Sequence, residues 1–422
     1  MKPGSPLMTL DEALERLFSG AQAGRIREVQ TVNLLDAAGR ILAQPIRSLI
    51  DVPPGDNTSM DGYAVRCRDV LEPGTRLPVS QRIPAGQVGS ALEPGTVARI
   101  FTGAQLPPGA DAVVMQEQCE ALAAEDGQGL GCVVVQASPQ PGQWIRRRGE
   151  DVQAGSEVLA AGSRLTPQAM GLAASVGCAE VAVLRRPRVA LFSTGDELVM
   201  PGEISPEQMR PGAIYNSNRY TLRGLLLAAG CEVTDFGIVP DRLDATRAVL
   251  RQAAQGHDLI LTSGGVSVGE EDHIKPAVQA EGHLDSWQMA IKPGKPLAFG
   301  SVRTGGHQQA LFVGLPGNPV SSFVTFLVAV APLLRFMQGM SPQAFKPQLL
   351  RADFNWPKPD RRREFLRARL NGQGGLDLFP NQSSGVLTSA VWADGLVDNA
   401  PGAAIAQGQV VRFLSFADLL FA

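Results

Sequence analysis

Hydrophobic residues between positions 187 and 337 come in short runs, with helix-type patterns between the first three of them. Apolar residues spaced three and four apart predict a helix over 219–230 and another near 244–255, each ending at a glycine. Strands that alternate with helices of this length predict βαβ units in a parallel, doubly wound sheet. The four predicted strands are Arg188–Phe192, Val233–Val239, His257–Leu261 and Ala310–Val313.

Two further helices are predicted from capping signals in the first 180 residues. Thr9 begins a capping box with Glu12, and the apolar spacing that follows predicts a helix that stops before Gly20. Thr166 precedes a proline at the first helical position, which predicts a second helix start.

The remaining segments have a pattern typical of β-rich modules. From about 45 to 145, short apolar runs are separated by Pro and Gly. The sequence Glu-Pro-Gly-Thr occurs there twice, at 72–75 and 93–96, and predicts two equivalent turns. Beyond about 340 the chain becomes strand-rich again, which favours a small β-barrel or sandwich.

Composition narrows the function classes. The chain has 422 residues, of which 44% are hydrophobic and 19% charged, and this excludes a disordered chain and allows two to four domains. Lys and Arg number 38 against 41 Asp and Glu, giving a net charge of −3. Because nucleic-acid binders carry a basic surplus, we expect no nucleic-acid partner, and any basic site must be local.

Cysteine usage and hydropathy indicate the compartment. Five widely spaced cysteines support neither a disulfide framework nor a zinc site, so we expect reduced thiols that serve as small buried apolar residues. The N-terminus lacks a signal pattern, and the longest apolar stretch, Phe323–Leu334, contains Pro332 and is about twelve residues long. We therefore expect a cytoplasmic protein without a membrane segment.

Loops after three of the predicted strands share one chemistry. Ser193–Glu197, Thr262–Asp272 and Leu315–Pro319 combine Gly, Ser or Thr with polar or acidic residues. Glycines let backbone N–H groups approach an anion, while carboxylates suit a divalent metal that bridges them to a phosphate. None of the loops matches a P-loop or a G-x-G-x-x-G motif, which argues against an ordinary ATPase or dehydrogenase.

Other candidate segments are weaker individually. Ile291–Pro296 holds two lysines, Lys292 and Lys295, on a turn stiffened by two prolines and a glycine, which favours anion binding over a plain surface turn. Arg146–Asp151 is equally compatible with a site or a solvated charged edge. No spacing supports a Ser-His-Asp or Cys-His arrangement.

Taken together, these motifs resemble the molybdopterin molybdenumtransferase (MoeA) family, which includes the E domain of gephyrin. They occur in the family's order and cover about residues 10 to 420. The matching segments are Asp56–Val65, Phe101–Ala112, Arg146–Asp151, Ser193–Leu198, Ile214–Asn218, Ser263–Asp272, Ile291–Pro296 and Leu315–Val320.

The resemblance implies a multidomain α/β plus β architecture with a homodimeric assembly. Its parts would be an elongated linking segment (1–48 and 146–180), an inserted β-rich module (49–145), a molybdopterin-binding α/β domain (181–337) and a C-terminal β-barrel (338–422). Each active site would form between the α/β domain of one subunit and the β-rich module of the other.

The reaction implied is insertion of molybdate into adenylylated molybdopterin, with Mg²⁺ or Zn²⁺ assisting and AMP released. The resemblance assigns Asp241 and Asp272 to the metal. It assigns catalytic roles to Asp61, Thr102, Asp151, Glu197, Lys292 and Lys295. Substrate contacts would come from Arg146, Ser193, Thr194, Gly195, Ser263, Gly264, Gly265, Ser267, Pro316, Gly317, Asn318, Pro319, Arg367 and Ser384.

The chain departs from the family pattern at Gly55 and His273, where a bulkier residue and a tyrosine are usual, and the barrel matches only in short pieces. Three alternatives differ in function. The adenylyltransferase that supplies the adenylylated substrate resembles only the α/β domain, although it could be a docking partner. A relative that handles tungstate or another pterin has the same motifs. A peptide-binding scaffold would have no use for the carboxylates and lysines.

Overall fold

The computed structural model describes residues 7–124, 128–265, 273–305 and 309–421. The chain forms two compact units. The first unit comprises 1–31, 39–43 and 182–422, and the second unit comprises 32–38 and 44–181.

Helix α1 (Leu10–Ala21) begins at the predicted capping box, with the Glu12 carboxylate 2.8 Å from the Thr9 backbone nitrogen. The predicted stop before Gly20 is wrong, because the helix continues through that residue. A Cβ atom on Gly20 would lie 2.5 Å from the Phe299 ring. The glycine therefore serves close packing of the helix on the sheet rather than termination.

The second unit is built on one six-stranded sheet in the order β7-β4-β6-β5-β9-β8. Apolar clusters cover both of its faces. Its elements are β2 (Ile46–Arg47), β3 (Asn57–Thr58), β4 (Gly62–Val65), β5 (Thr75–Ile83), β6 (Val97–Ile100), β7 (Ala112–Met115), β8 (Cys119–Leu122), β9 (Cys132–Val135), β10 (Ile145–Arg146), β11 (Glu157–Leu159) and α2 (Pro167–Ser175), and the strands where the chain passes between units are β1 (Val29–Asn33) and β12 (Glu180–Leu184).

Local predictions for this unit are confirmed. The two Glu-Pro-Gly-Thr segments form the same turn: Thr75 N donates to Glu72 O and Thr96 N to Glu93 O, both at 3.2 Å. The glycine in each turn has a positive φ, and a strand follows each turn. Helix α2 begins as predicted, with Thr166 accepting a hydrogen bond from the Ala169 backbone.

The first unit contains an α/β sheet in the order β16-β13-β17-β21-β20-β18. The first four strands are parallel, as predicted, and the last two pair antiparallel at one edge. Its elements are β13 (Arg188–Thr194), β14 (Leu198–Val199), β15 (Ile214–Tyr215), α3 (Ser217–Ala228), β16 (Glu232–Val239), α4 (Leu243–Ala254), β17 (Leu259–Ser263), α5 (Ile274–Glu281), β18 (Gly282–Gln288), β19 (Ile291–Lys292), β20 (Pro296–Arg303) and β21 (Gln309–Leu315).

Alternating side chains of the parallel strands enter two different cores. Val189 and Leu191 pack with α1 and α3, whereas Ala190 and Phe192 pack with α4 and α5. Strands covered on both faces by helices read as continuous apolar runs, which is why the sequence pattern predicted them.

The most apolar part of the chain forms the central helix of the core that contains α1 and α3. It continues without a break through α6 (Pro319–Thr325), a π-helical turn (Phe326–Val330) and α7 (Ala331–Met337). It has 19 residues, and its most apolar stretch has a mean hydropathy of 1.9, so by length and composition alone it could cross a membrane. In this structure 83% of its most apolar stretch is buried inside the protein, as expected of a core helix.

The C-terminal part of the first unit is a closed barrel, as predicted. Its strands follow the order β23-β24-β22-β26-β25, and β25 pairs back onto β23. Strand β19 adds to β23 from outside and joins the lysine segment to the barrel. The elements are β22 (Gln348–Ala352), β23 (Arg363–Leu370), β24 (Gly375–Leu378), α8 (Thr388–Trp392), β25 (Gly395–Asn399), β26 (Val410–Ser415) and α9 (Phe416–Phe421).

All five cysteines are free thiols, as predicted. Only Cys231 is fully buried, and burial raises its thiol pKa to about 12. The other four are partly exposed, so the expectation of buried apolar cysteines is confirmed only for Cys231.

Candidate active site

The carboxyl ends of β13, β16, β17 and β21 lie at one edge of the α/β sheet and border a cleft of about 1100 Å³. The loops after these strands line it together with segments 214–218 and 292–296 and, from the barrel, Arg362 and 382–385. This is the edge where ligands bind in open α/β sheets.

Glycines bring the loop backbones close together beneath the cleft. Gly264 has a φ of 90°, and a Cβ atom there would lie 2.7 Å from the Thr194 carbonyl oxygen. Its N–H donates to Leu315 O at 3.1 Å, which joins the loop after β17 to the end of β21. Only glycine combines this positive φ with such a close approach.

Asn216 and Asn218 line the cleft, and each leaves part of its amide unpaired. Asn216 Oδ1 accepts from the Arg219 backbone and caps α3, while Asn218 Nδ2 donates to Gly317 O at 2.7 Å. Asn216 Nδ2 and Asn218 Oδ1 are buried and have no hydrogen-bond partner in the described part of the chain. Because buried polar groups are almost always paired, a donor and an acceptor left open in a cleft indicate a polar ligand.

Hydroxyl groups extend this set of unpaired polar atoms. Within the described ranges, the side chains of Ser193, Thr194, Thr262 and Thr325 are at least 96% buried and their oxygens lack partners. Thr194 lines the cleft. Ser193 is the preceding residue of β13, and Thr262 lies on the adjacent strand β17. Thr194 thus adds a neutral hydroxyl to the glycines and amides that line the cleft.

The two predicted lysines both line the cleft but differ in their surroundings. Lys292 Nζ lies 3.3 Å from Glu364 Oε1 and 3.5 Å from Asp360 Oδ2. Among the residues that the structure describes, Lys295 has no ion-pair partner. Gly294 between them has a φ of 108°, and a Cβ atom there would overlap Thr325 Oγ1.

Glu197 and Asp241 are the carboxylates that line the cleft within the described ranges. Asp196 accepts a 3.4 Å hydrogen bond from the Asp241 backbone and so ties the two loops together. Lining groups in those ranges include no His or Cys, and no described cluster holds three or more His, Cys, Asp or Glu. Oxygen donors of this kind fit Mg²⁺ better than Zn²⁺, with the remaining ligands supplied by substrate or water.

Arg367 and Ser384, the two site residues that the resemblance assigns from the barrel, have different positions. Ser384 lines the cleft, and its carbonyl accepts from the Val320 backbone at 3.0 Å. Arg367 is 1% exposed and donates to Ser389 Oγ and to the Phe365 and Ser383 carbonyls. Arg367 does not line the cleft, and burial lowers its pKa to about 10. Its hydrogen bond to the Ser383 carbonyl holds the 382–385 segment, which does line the cleft.

In the second unit, Asp61 and Thr102 form a pair. Asp61 Oδ1 accepts from both the backbone N–H and the hydroxyl of Thr102 at 2.7 Å. The backbone hydrogen bond is the main cause that lowers the pKa of Asp61, with the hydroxyl second. The carboxylate is therefore a fixed negative charge at neutral pH.

The three consecutive arginines of the second unit are not equivalent. Arg147 pairs with Asp56 at 2.7 Å, and Arg148 pairs with Asp51 at 2.6 Å. Arg146 is exposed and has no ion-pair partner among the residues described. Asp151 is likewise exposed. Of the three, Arg146 is therefore the arginine without a described carboxylate partner, and it is the one that the family resemblance assigns to the substrate.

The cleft gathers most of the predicted residues of the first unit. Ser193 and Arg367 lie outside its lining, and Ser267 and Asp272 lie outside the described residues. The predicted residues that line it are Thr194, Gly195, Glu197, Asp241, Ser263, Gly264, Gly265, Lys292, Lys295, Pro316, Gly317, Asn318, Pro319 and Ser384.

Three family models match the chain in sequence. The MoeA N-terminal region (domain I and II) matches 8–177, a probable molybdopterin binding domain matches 190–335, and the MoeA C-terminal region (domain IV) matches 350–416. The chain belongs to the MoeA family.

Curated relatives support the assignment along most of the chain. A molybdopterin molybdenumtransferase of Haemophilus influenzae is 41% identical over 376 residues, covering 88% of this chain and 89% of the relative. Molybdopterin molybdenumtransferase 2 of Mycobacterium tuberculosis is 38% identical over 383 residues, covering 87% and 90%. The family is thus one of transferases.

Solved MoeA structures share the fold. A molybdopterin biosynthesis MoeA protein from Pyrococcus horikoshii superposes with a TM-score of 0.80 at 27% identity, covering 97% of this chain and 100% of that one. Another structure from the same organism gives a TM-score of 0.72 at 30% identity, covering 97% and 99%.

Sequence reasoning assigned no role to several MoeA cleft residues. Asn216 and Asn218 lie in a matching segment, and their position just before α3 was the available signal. Arg362 and the carboxylates beside Lys292 come from the barrel, more than 60 residues further along the chain, so no spacing rule could connect them with the lysines.

Proposed function

We propose that this MoeA family member completes the molybdenum cofactor by inserting molybdate into adenylylated molybdopterin, with release of AMP. The observation that carries the proposal is the combination, in one cleft, of two lysines, two carboxylates and unpaired buried amide and hydroxyl groups. The molybdopterin molybdenumtransferase names of relatives that cover most of the chain support it.

The cleft offers a separate partner for each part of these substrates. Molybdate and the pyrophosphate group are anions, so Lys292 and Lys295 would offset their charge at the rim. Backbone N–H groups of the glycine loops would hold phosphate oxygens, and Asn216 and Asn218 would hydrogen-bond the polar pterin. The residues act by concentrating and orienting two anions that repel each other in solution.

The oxygen donors Asp241 and Glu197, with Asp272 outside the described residues, would hold Mg²⁺. A bound Mg²⁺ supplies positive charge that polarises the phosphoanhydride. Asp196 would keep the Asp241 loop in place through its hydrogen bond to the backbone.

The proposal includes a cytoplasmic homodimer. Asp61, Thr102, Arg146 and Asp151 of the second unit would serve the cleft of the partner subunit. Their chemistry supports this, because Asp61 is fixed by Thr102 and Arg146 is an available cation. A molybdopterin adenylyltransferase would supply the adenylylated substrate by docking.

The decisive experiment measures AMP released from adenylylated molybdopterin by the purified protein, with and without molybdate and with and without Mg²⁺. We expect release only when both are present. Tight binding of the substrate without AMP release under any oxyanion would overturn the proposal and indicate a carrier or scaffold. Tungstate in place of molybdate tests the choice of oxyanion.

A further inference from the structure

One ion pair of the cleft connects it to the interior of the barrel. Glu364, on β23, has no exposed surface, yet its Oε1 lies 3.3 Å from Lys292 Nζ. Its other oxygen, Oε2, accepts from Trp356 Nε1 at 2.8 Å and from Asn399 Nδ2 at 3.2 Å. Barrel donors therefore fix the carboxylate on one side, and the ammonium group of Lys292 takes the other.

From this arrangement we infer that Glu364 is a positioning residue that fixes the Lys292 ammonium group at the cleft wall. The inference rests on the proposed function, since it concerns how the oxyanion-binding lysines are held. Asp360 assists from 3.5 Å, and Arg362 holds Asp360 through two hydrogen bonds of 2.9 Å. The flexible Lys292 side chain is thereby held so that its positive charge has a fixed position. Electrostatic catalysis requires charges that are preorganised in this way.

The neighbouring lysine shows that this restraint is specific. Lys295 lines the same cleft three residues along, but within the described ranges it has no carboxylate partner. Lys292 is 37% exposed, so its outer surface still faces the cleft while the carboxylates hold it from the barrel side. The two lysines therefore differ in mobility: the Lys292 ammonium group is held in one position, whereas the Lys295 side chain can adjust to the position of the bound anion.

The hydrogen bonds of Glu364 suggest a substitution that removes its restraint on Lys292 and little else. Glu364 accepts from three donors, and a glutamine offers a single acceptor oxygen. If that oxygen faces Trp356 and Asn399, the amide N–H₂ group faces the Lys292 ammonium and repels it. Glu364→Gln should therefore release Lys292 at nearly unchanged side-chain volume.

The test is a double-mutant cycle on AMP release with Lys292→Ala, Glu364→Gln and the double variant. If Glu364 acts through Lys292, Glu364→Gln lowers turnover roughly tenfold or more and the double variant is no slower than Lys292→Ala alone. If Glu364 only stabilises the barrel, the two effects multiply, and that result overturns the inference. Asp398→Asn is the matched control, because Asp398 is a buried barrel carboxylate that pairs with Arg363 and Arg412.

A second readout does not depend on the reaction. Competitive acetylation with acetic anhydride, mapped by fragment mass spectrometry, reports the reactivity of each lysine. We expect Lys292 to react roughly threefold or more slowly than Lys295 in the wild type, and the difference to disappear in Glu364→Gln but persist in Asp398→Asn. Equal reactivity in the wild type would contradict the restraint. A wild type without AMP release but with this protection would reject the proposed function and keep the ion-pair assignment.

Discussion

Gly264, immediately after β17, combines a positive φ with a close backbone contact in the cleft. Its φ of 90° lies in the region that side chains disfavour, and the Thr194 carbonyl oxygen occupies the space that a Cβ would need. A side chain there would push apart the loops that follow β13 and β17. The residue therefore links backbone geometry directly to the shape of the cleft.

We expect Gly264→Ala to lower the free energy of unfolding by about 1–3 kcal/mol and to reduce AMP release at least as strongly as it affects stability. Chemical denaturation and the activity assay measure the two effects. The matched control is Gly224→Ala on the exposed face of helix α3, where a Cβ would meet nothing within 4 Å. It should be neutral or stabilise by up to about 1 kcal/mol. Equal behaviour of the two variants would refute the steric argument.

At the scale of elements, an ion-pair network joins α4 to α5 on the side of the sheet away from α3. Glu281, the last residue of α5, accepts from Arg247 at 2.7 Å and from Arg251 at 2.8 Å and 2.9 Å. Hydrogen bonds from Arg251 are the main cause that lowers the pKa of Glu281 to about 2. The carboxylate is only 12% exposed, whereas both arginines are more open to solvent.

This network predicts a defined pH dependence. Because the folded pKa is depressed, the stabilisation is fully present above the unfolded value of about 4.5 and is lost as the pH falls towards about 2. Glu281→Gln should lower the free energy of unfolding by about 1 kcal/mol at pH 7, since the arginines are partly solvated. Its difference from the wild type should shrink towards pH 2. Denaturant unfolding at several pH values measures this.

The control for that series is Glu203→Gln, because Glu203 is exposed and has no ion pair in the ranges that the structure describes. It should follow the wild type at every pH. A constant difference between Glu281→Gln and the wild type from pH 7 to pH 2 would show that the carboxylate charge contributes nothing to the α4–α5 contact.

Elements also show where sequence patterns succeed. The capping box of α1 was predicted because its two hydrogen bonds connect residues three apart. The end of the same helix was predicted wrongly because Gly20 packs against Phe299, almost 280 residues away. Local hydrogen bonds are visible in a sequence, whereas a long-range contact can give a helix-stopping residue a packing role.

At the scale of the whole molecule, the proposed function requires a site shared between two subunits. The proposed function puts Arg146 of the second unit and Lys295 of the first unit in one site, as the family resemblance implies. If that site is shared between subunits, a mixed dimer of Arg146→Ala and Lys295→Ala chains contains one site that is intact and one that carries both changes.

We expect each homodimeric variant to be nearly inactive, and the mixed dimer to recover about half of the wild-type rate of AMP release. Co-expression with two different affinity tags isolates the mixed dimer, and sedimentation measures its mass. If both residues of a site come from one chain, every site in the mixed dimer is defective, and recovery will not occur. A monomeric wild type would also reject the shared site.

The sequence by itself determined the four parallel strands, helices α3 and α4 and the starts of α1 and α2, and the family resemblance added many of the cleft residues. Continuous apolar runs, capping residues and glycine turns depend on neighbours within a few residues, so β13, α3 and the Glu-Pro-Gly-Thr turns could all be predicted. The order of strand-end loops also sufficed for the cleft, because parallel strands bring their carboxyl ends to one edge.

Only the tertiary structure decided how those residues are used. It buried Arg367 in the barrel against Ser389 and backbone carbonyls, and it left open amide groups on Asn216 and Asn218. It also placed Glu364 beside Lys292, 72 positions earlier in the chain. The physical reason is that burial, unpaired hydrogen-bonding groups and fixed charges arise from contacts between distant segments, which no local pattern in the sequence records.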